Sequence, residues 1–193
     1  MSDPLHRGLF LIVAFVLAGL LQSLWLHSRL SQALAIPLDG GRTFRGWPIL
    51  GENKTLRGFV VMIPAAALAF AAVAAVVSLP PGVPPATLWQ LTPAGYAALG
   101  AWAGFGFMVG ELPNSFVKRR LGILPGQAPP SGLTTAICFT IDRLDSIVGM
   151  LAAVTIAVPT PWTTWLWVLI LGPSIHWLFS WWLFRLGVKG RPA

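Results

Sequence analysis

Two aspartates interrupt an otherwise apolar stretch in the second half of the chain. Asp142 and Asp145 are three residues apart, so on a helix both carboxylates would project from one face. Such a pair can ligate a hard cation through oxygen, and the absence of paired His or Cys beside it favours magnesium over zinc. A salt bridge to Arg143, or to the basic run 118–120, explains the pair equally well from the residues alone.

A polar and basic group precedes the aspartates and consists of Glu111, Asn114, Ser115, Lys118, Arg119 and Arg120. If one helix runs through this group, several of its members share a face, and Pro113 is tolerated in a membrane helix with a kink. The basic run by itself is typical of a signal that fixes membrane orientation against anionic headgroups. Such a signal does not need polar residues one turn before it, so a site for an anionic ligand is the competing interpretation.

The stretch GENKTLRG, residues 51–58, places charge directly before a long apolar run. Gly51 and Gly58 allow close approach of a ligand to the backbone, and Lys54 and Arg57 can donate to phosphate oxygens. The stretch lacks the spacing of a nucleotide-hydrolase P-loop. Taken alone, it is better explained by two cations that extend from the start of a helix to lipid headgroups.

The composition indicates that membrane helices position these residues. Of 193 residues, 55% are hydrophobic and 10% are charged, with ten Trp and eleven Phe, which is outside the usage of soluble proteins. The formal net charge of +7 does not indicate nucleic-acid binding, because the basic residues lie between apolar segments. The expected partners are the membrane with its anionic lipid, or a phosphorylated substrate. A single cysteine, Cys138, excludes an internal disulfide.

Five apolar segments are candidate transmembrane helices: 8–26, 58–79, 94–112, 146–158 and 162–184. The fourth is short, but a further apolar stretch precedes it, so the charges between the two are expected within or at the mouth of a helix. If successive spans cross the membrane in opposite directions, Arg7 is the only Lys or Arg on one side of it. The connections between spans on that side carry no charge. The positive-inside rule therefore predicts an amino terminus outside and a carboxyl terminus in the cytoplasm.

These features predict an all-α integral membrane protein, with five transmembrane helices and two structured cytoplasmic loops in one domain, 1–193. The first loop, SQALAIPLDGGRTFRGWPILGENKTLRG, is rich in Gly and Pro and is expected to be a structured loop rather than a helix. The second is ELPNSFVKRRLGILPGQAPPSG, which leads into TIDRLDSIVG. A cleaved signal peptide is not expected, because the leading segment has no net positive charge and the apolar region is too long.

The order of these motifs resembles that of the CDP-archaeol synthase family, a family of membrane CTP:lipid-phosphate cytidylyltransferases. The matching elements, which span nearly the whole chain, are Pro37 with 39–41, GENKTLRG, ELPNSFVKRRLGILPG, DRLDSIVG and PSIHWLFSWWLFRLGVKGRP. SFVKRRLG followed by DRLD is the most specific part. The resemblance implies a five-helix enzyme whose cytosolic, Mg2+-dependent site condenses CTP with a lipid phosphate to give a CDP-lipid and pyrophosphate.

The resemblance also implies roles for individual residues. The implied catalytic residues are Lys118, Arg119, Asp142 and Asp145, the last two as ligands of Mg2+. The predicted substrate-binding residues are Asn53, Lys54, Arg57, Glu111, Asn114, Ser115 and Arg120. Ser115, Lys118 and Arg119 would hold the CTP triphosphate. The family usually has Asp in place of Glu111. Glu111 is therefore expected to support the metal ligands by hydrogen bonding and not to bind the metal directly.

Two questions stay open at this stage. An unsaturated archaeal ether lipid phosphate is the acceptor that the family implies, yet phosphatidic acid or a polyprenyl phosphate presents the same reactive group. The competing functional class is a non-enzymatic transporter or accessory subunit that binds anionic lipid, in which the same charges line a pathway or contact a partner. A transporter would more often show inverted repeats and broken helices, and neither is evident in the sequence.

Overall fold

A computed structural model describes residues 3–78, 87–125, 127 and 132–185. The helices in these ranges are α1 (Pro4–Leu26), α2 (Arg29–Ala33), α3 (Leu56–Val77), α4 (Pro93–Arg120), α5 (Gly132–Ala157) and α6 (Trp162–Arg185). Two short antiparallel strands, β1 (Thr43–Phe44) and β2 (Trp47–Pro48), lie between α2 and α3. The described chain is mostly helical, as the sequence predicts. The last residues of the closing motif, 186–192, lie outside the described residues.

Each of the five predicted spans lies in or overlaps one long helix. Among the described residues, α1 and α3 are long and apolar enough to cross a membrane, and α6 adds a shorter apolar stretch, Trp162–Ile175. The predicted boundary at 146 is too late, because α5 begins at Gly132 and carries both aspartates inside one continuous helix. α4 also continues through Pro113 to Arg120, so the polar and basic group is helical.

Local capping explains where α1 and α4 begin. Asp3 precedes Pro4, and its Oδ1 accepts a hydrogen bond from the backbone N–H of Leu5 at 2.9 Å. Thr92 precedes Pro93 in the same way, and its Oγ1 accepts from Gly95 N–H at 3.0 Å. A capping side chain followed by proline in the first turn is a favoured helix start, since proline lacks an N–H that would otherwise be unsatisfied.

The segment between α1 and α3, residues 27–55, is called the first connection, and it differs from the predicted loop. Its beginning is helical, because Ser28 caps α2 by accepting a hydrogen bond from Ser31 N–H at 3.3 Å. The expectation that no helix forms here was therefore wrong for 31–33. Farther on, Arg45 and Gly46 have φ of 53° and 81° between β1 and β2. Positive φ at both turn positions is typical of two-residue hairpin turns, so this segment is a small β-hairpin.

Glycines set the close packing of α4 against its neighbours on either side, α3 and α5. A Cβ added at Gly104 would lie 2.9 Å from Met62 O of α3. A Cβ at Gly110 would lie 2.4 Å from Asp145 O, and one at Gly149 would lie 2.3 Å from Gly106 O. Small residues that let helix backbones approach are typical of membrane helix interfaces. The approach of α4 to α5 brings the polar residues of the two helices together.

We expect Gly149→Ala to lower the free energy of unfolding by about 1–3 kcal/mol, because the atoms in the way belong to backbone that cannot rotate aside. Thermal unfolding in detergent measures the effect. Gly19→Ala is the matched control, since a Cβ there meets nothing within 4 Å. Equal unfolding temperatures for the two variants would contradict the packing described for α4 and α5.

An aromatic cluster fills the bundle near the start of α1. The ring of Phe10 lies 5.2 Å from that of Phe70 and 5.5 Å from that of Tyr96, centroid to centroid, and 6.1 Å from that of Trp89. All four side chains are buried. Edge-to-face and tilted pairs of this kind add to the stability gained from burial. This end of the bundle is therefore a tightly packed apolar region.

Candidate functional site

The two polar motifs of α4 and α5 meet at their facing surfaces. Asn114 Nδ2 donates hydrogen bonds to Asp142 Oδ1 at 2.6 Å and to Asp145 Oδ2 at 2.7 Å. The ammonium group of Lys118 contacts both carboxylate oxygens of Asp142. The predicted sharing of one face by the two aspartates is thus confirmed. The structure also contains the cross-helix ion pair that the sequence offered as the alternative explanation of Asp142.

Glu111 connects this cluster to the first connection. Ser146 Oγ donates a hydrogen bond to Glu111 Oε1 at 2.8 Å, and Lys54 Nζ forms an ion pair with Glu111 Oε2. The side chains of Lys54 and Glu111 are each 23% exposed, so the pair is largely withdrawn from solvent. Charge in a partly desolvated pair interacts more strongly than on the surface. Three chain segments therefore share one charged site: GENKTLRG, α4 and α5.

Ser146 is a site residue that the sequence reasoning missed. Besides Glu111 it contacts Asp145, whose Oδ1 accepts a hydrogen bond from Ser146 N–H at 2.6 Å and lies 3.2 Å from Ser146 Oγ. It is 6% exposed. Its spacing of four from Asp142 was the available signal, because positions four apart lie on one helix face.

The carboxylate pair suits magnesium by its chemistry. Both aspartates have an oxygen within 2.7 Å of the same Asn114 nitrogen, so the two carboxylates lie side by side around that amide. Within the described chain no group of three or more His, Cys, Asp or Glu gathers into a metal cluster. Magnesium commonly takes only one or two protein carboxylates and completes its shell with water and substrate phosphate oxygens. Asp142 and Asp145 are the residues that would hold it.

The adjacent cations Arg119 and Arg120 turn away from the aspartates towards the first connection. Arg119 is 7% exposed and donates from Nε to Leu50 O at 3.1 Å and from Nη1 to Ile123 O. Arg120 donates to the carbonyls of Phe44, Trp47 and Pro48, at 3.2 Å for Trp47 O. Its guanidinium also lies 4.9 Å from the ring centroid of Phe116. These two residues hold the hairpin against the end of α4.

Ser115, Asn53 and Arg57 lie around the cluster. Ser115 is buried, and its Oγ donates to Glu111 O at 2.9 Å within α4. Asn53 and Arg57 line a cavity of about 180 Å³ together with Lys54 and Glu111. The structure thus places Lys54 in direct contact with the cluster, and Asn53 and Arg57 at its edge.

Asp39 organises the backbone of this connection. Its Oδ1 accepts a hydrogen bond from Gly41 N–H at 3.0 Å, and its Oδ2 accepts from Leu50 N–H at 2.8 Å and Gly51 N–H at 2.9 Å. Partial burial of Asp39 acts to raise its pKa, but the hydrogen bonds from Gly51, Leu50 and Gly41 outweigh burial, and the pKa is lowered from 3.8. The ionised carboxylate therefore holds the two ends of the hairpin segment together.

We expect Asp39→Asn to lower the unfolding temperature at neutral pH, because an amide cannot accept at both positions as the carboxylate does. A lowered native pKa contributes stability that is present above the unfolded value and is lost as the pH falls through the native value. The difference between variant and wild type should therefore close as the pH falls below 3.8. Unfolding followed at several pH values tests this, and a gap that persists in acid would contradict it.

A mostly apolar cavity of about 330 Å³ reaches the charged cluster from the interior of the bundle. Glu111, Asp142 and Ser146 line its polar end, and its wall includes Phe15 and Phe107. A cavity with a charged end and an apolar body is complementary to an amphipathic molecule.

The chain is similar to proteins of one family over most of its length. A family model described as CarS-like CDP-archaeol synthase matches residues 9–192. The CDP-archaeol synthase of Halobacterium salinarum is 36% identical over 163 residues, which cover 81% of this chain and 82% of the relative. The CDP-archaeol synthase of Methanopyrus kandleri is 32% identical over 179 residues, covering 90% of this chain and 85% of the relative.

A solved structure shares the fold. It is described as an intramembrane enzyme for archaeal membrane lipids biosynthesis, and it matches with a TM-score of 0.60 and 22% identity, over 88% of this chain and 91% of that one. The fold is thus that of an integral membrane protein, as the composition predicts. With the family model and the relatives, the resemblance carried by the motifs is confirmed: the chain belongs to the CDP-archaeol synthase family of membrane cytidylyltransferases.

Proposed function

We propose that this enzyme transfers the cytidylyl group of CTP to an archaeal ether lipid phosphate at the site formed by GENKTLRG, α4 and α5, giving a CDP-lipid and pyrophosphate. The observation that carries the proposal is the convergence of those three segments, through the contacts of Asn114, Glu111 and Lys54, on one pair of aspartates. The names of the relatives support the reaction. Membership of a synthase family does not favour the alternative of a transporter or accessory subunit.

The reaction suits a site without a nucleophile and base. An oxygen of the lipid phosphate is already anionic, so it can attack the α-phosphorus of CTP directly, forming one O–P bond while the bond to the β-phosphate oxygen breaks. The electron pair of the broken bond leaves with pyrophosphate. The main requirement is to bring two polyanions into line and to stabilise the developing charge. Lys118 and Lys54 form ion pairs with Asp142 and Glu111, respectively, and we assign both lysines to the phosphates.

Mg2+ bound by Asp142 and Asp145 would supply positive charge to the phosphate oxygens. Neighbouring residues determine the orientation of the two aspartate carboxylates. Asn114 orients both carboxylates, and Ser146 fixes Asp145 and Glu111 relative to one another. Hydrogen bonds of this kind lock side chains before substrate arrives, which reduces the cost of ordering them in the reaction.

The 330 Å³ cavity is the proposed binding site of the acceptor lipid. Its apolar wall, with Phe15 and Phe107, would receive part of a lipid chain, while Glu111 and Asp142 at its end lie where the phosphate must react. A lipid phosphate can then reach the site without leaving the bilayer, and CTP approaches from water. We infer from the distribution of basic residues that all five long helices span the membrane, with the site cytoplasmic and the amino terminus outside.

The acceptor is tested by giving purified protein CTP, Mg2+ and one of three lipid phosphates: an unsaturated archaeal ether lipid phosphate, phosphatidic acid or a polyprenyl phosphate. Mass spectrometry of the extracted lipid identifies the product. The proposal expects the CDP-lipid of the ether lipid to form fastest. A clear preference for another acceptor would overturn the assignment of the lipid while leaving the transfer chemistry intact.

The orientation has a separate test. Cysteines introduced singly as Gln127→Cys and Thr160→Cys, in a Cys138→Ser background, lie in connections at opposite ends of α5. A membrane-impermeant maleimide added outside intact cells should label position 160 and not position 127. The reverse pattern would contradict the proposed orientation.

A further inference from the structure

A buried arginine at the start of α1 is not used by the proposed reaction. Arg7 is 8% exposed and lies beside segment 88–91 and the connection after α5, where it donates to Pro159 O at 2.9 Å and to Leu88 O at 3.5 Å. Its guanidinium is 5.1 Å from the ring centroid of Trp89. Arg7 and Gln22, which lines the 330 Å³ cavity, are separated by about 22 Å along the axis of α1. Arg7 therefore belongs to the opposite end of the bundle from the aspartates.

Within the described residues, the charge of Arg7 has no anionic partner. The chain has six Asp and Glu residues, all within the described ranges. Asp3 is the one at this end, and its oxygens bind the N–H groups of Leu5 and His6 and the His6 ring. No ion pair of Arg7 occurs in the described chain, and its buried Nε has no hydrogen-bond partner there. A buried cation that only carbonyls and a ring face stabilise is unfavourable, because carbonyl dipoles do not neutralise it.

A cavity lies beside this charge. It has a volume of about 620 Å³ and is lined by Arg7, segment 88–91, Val158 and Pro159. Trp162, which begins α6 just after this connection, is 70% exposed. Exposed tryptophan at the end of an apolar helix is typical of the headgroup level of a bilayer. The cavity is thus lined by a desolvated positive charge and lies at the depth at which lipid phosphates occur.

We propose that this cavity binds a phosphate group, with the Arg7 guanidinium as its charged ligand, at the end of the bundle opposite the cytidylyl-transfer site. Arginine is suited to the role because its planar donors match phosphate oxygens and it remains charged when buried. The phosphate comes either from the headgroup of an anionic lipid in the adjacent leaflet or from free inorganic phosphate. The site is separate from the reaction, so it does not depend on the proposed function.

Native mass spectrometry of the purified protein with phosphatidylglycerol, and thermal unfolding with inorganic phosphate, test the proposal. Arg7→Gln should weaken binding of the occupying probe by about tenfold or more, because the charged ligand is lost. Arg29→Gln removes the same charge from an exposed position at the start of α2, just after the far end of α1, and should bind like wild type. Loss of phosphatidylglycerol binding alone identifies the headgroup source, and loss of stabilisation by inorganic phosphate alone identifies the free anion.

A second variant separates binding from folding, since Arg7→Gln also removes the contacts to Pro159 and Leu88. Gln90→Trp narrows the cavity from an exposed wall position and keeps Arg7. It should weaken binding, and its unfolding temperature without probe establishes that the variant is folded. Arg7→Gln and Gln90→Trp proteins that bind both probes as wild type does would overturn the proposal. Failure of both probes to bind the folded wild-type protein would overturn it as well.

Discussion

Replacing Asp145 by asparagine is expected to lower kcat/KM for cytidylyl transfer by about 10²–10³-fold, the size of effect seen when one preorganised electrostatic group is removed from a transition state. This carboxylate accepts hydrogen bonds from Asn114 Nδ2 of the facing helix α4 and from Ser146 N–H of its own helix. Asparagine keeps the shape but removes the negative charge that a divalent cation requires. Initial rates at varied Mg2+ measure the effect, and the residual activity should need more Mg2+ than wild type.

The matched control for this variant is Glu52→Gln. It makes the same change of charge at an exposed carboxylate of the first connection, and its activity should stay within about twofold of wild type. Unfolding temperatures of both variants establish that they are folded. Wild-type activity of folded Asp145→Asn, with an unchanged requirement for Mg2+, would remove Asp145 from the site.

Replacing Lys118 by alanine is expected to lower kcat/KM for CTP by about 10²-fold or more, because the triphosphate loses a fixed cation. Lys118 is 17% exposed at its side chain and contacts both oxygens of Asp142. Its removal leaves Asp142 without its cationic partner, which disfavours binding of a further anion near it. Steady-state kinetics with CTP varied at saturating lipid phosphate measure the change.

The same variant separates the two interpretations of the basic run. If Lys118 served only membrane orientation, Lys118→Ala would change labelling of the introduced cysteines and leave CTP binding unchanged. Our proposal expects the reverse, with normal orientation and weakened CTP binding. Arg42→Ala is a suitable control, since it removes one exposed cation of the first connection, away from the aspartates.

The shared helix face of the two aspartates could be predicted from the sequence because it depends only on local periodicity. Asp142 and Asp145 share a face through their spacing alone, and the run from Glu111 to Lys118 follows helical spacing in the same way. Their meeting across helices depends on close packing, whose signal is the set of glycines at 106, 110 and 149. The order of motifs along the chain identified the family because it combines several such local features.

The first connection was less predictable because its form depends on contacts distant in sequence. Arg119 and Arg120 bind carbonyls of Leu50 and of the hairpin, which neither spacing nor hydropathy reports. The sequence grouped these arginines with Lys118, while the structure directs them towards the loop. Their predicted roles with substrate remain predictions, and the geometry adds the role of holding GENKTLRG beside α4.

Transfer of label from CTP labelled at the α-phosphate to lipid tests the proposed reaction and its site together. Purified wild-type protein with Mg2+ and an archaeal ether lipid phosphate should give labelled CDP-lipid and an equal amount of pyrophosphate. Chelation of Mg2+, or combined Asp142→Asn and Asp145→Asn replacement in a folded protein, should abolish the labelled lipid. Undiminished transfer by the doubly substituted protein would contradict the proposed site. No transfer by folded wild-type protein with Mg2+ and any of the lipid phosphates would contradict the proposed reaction.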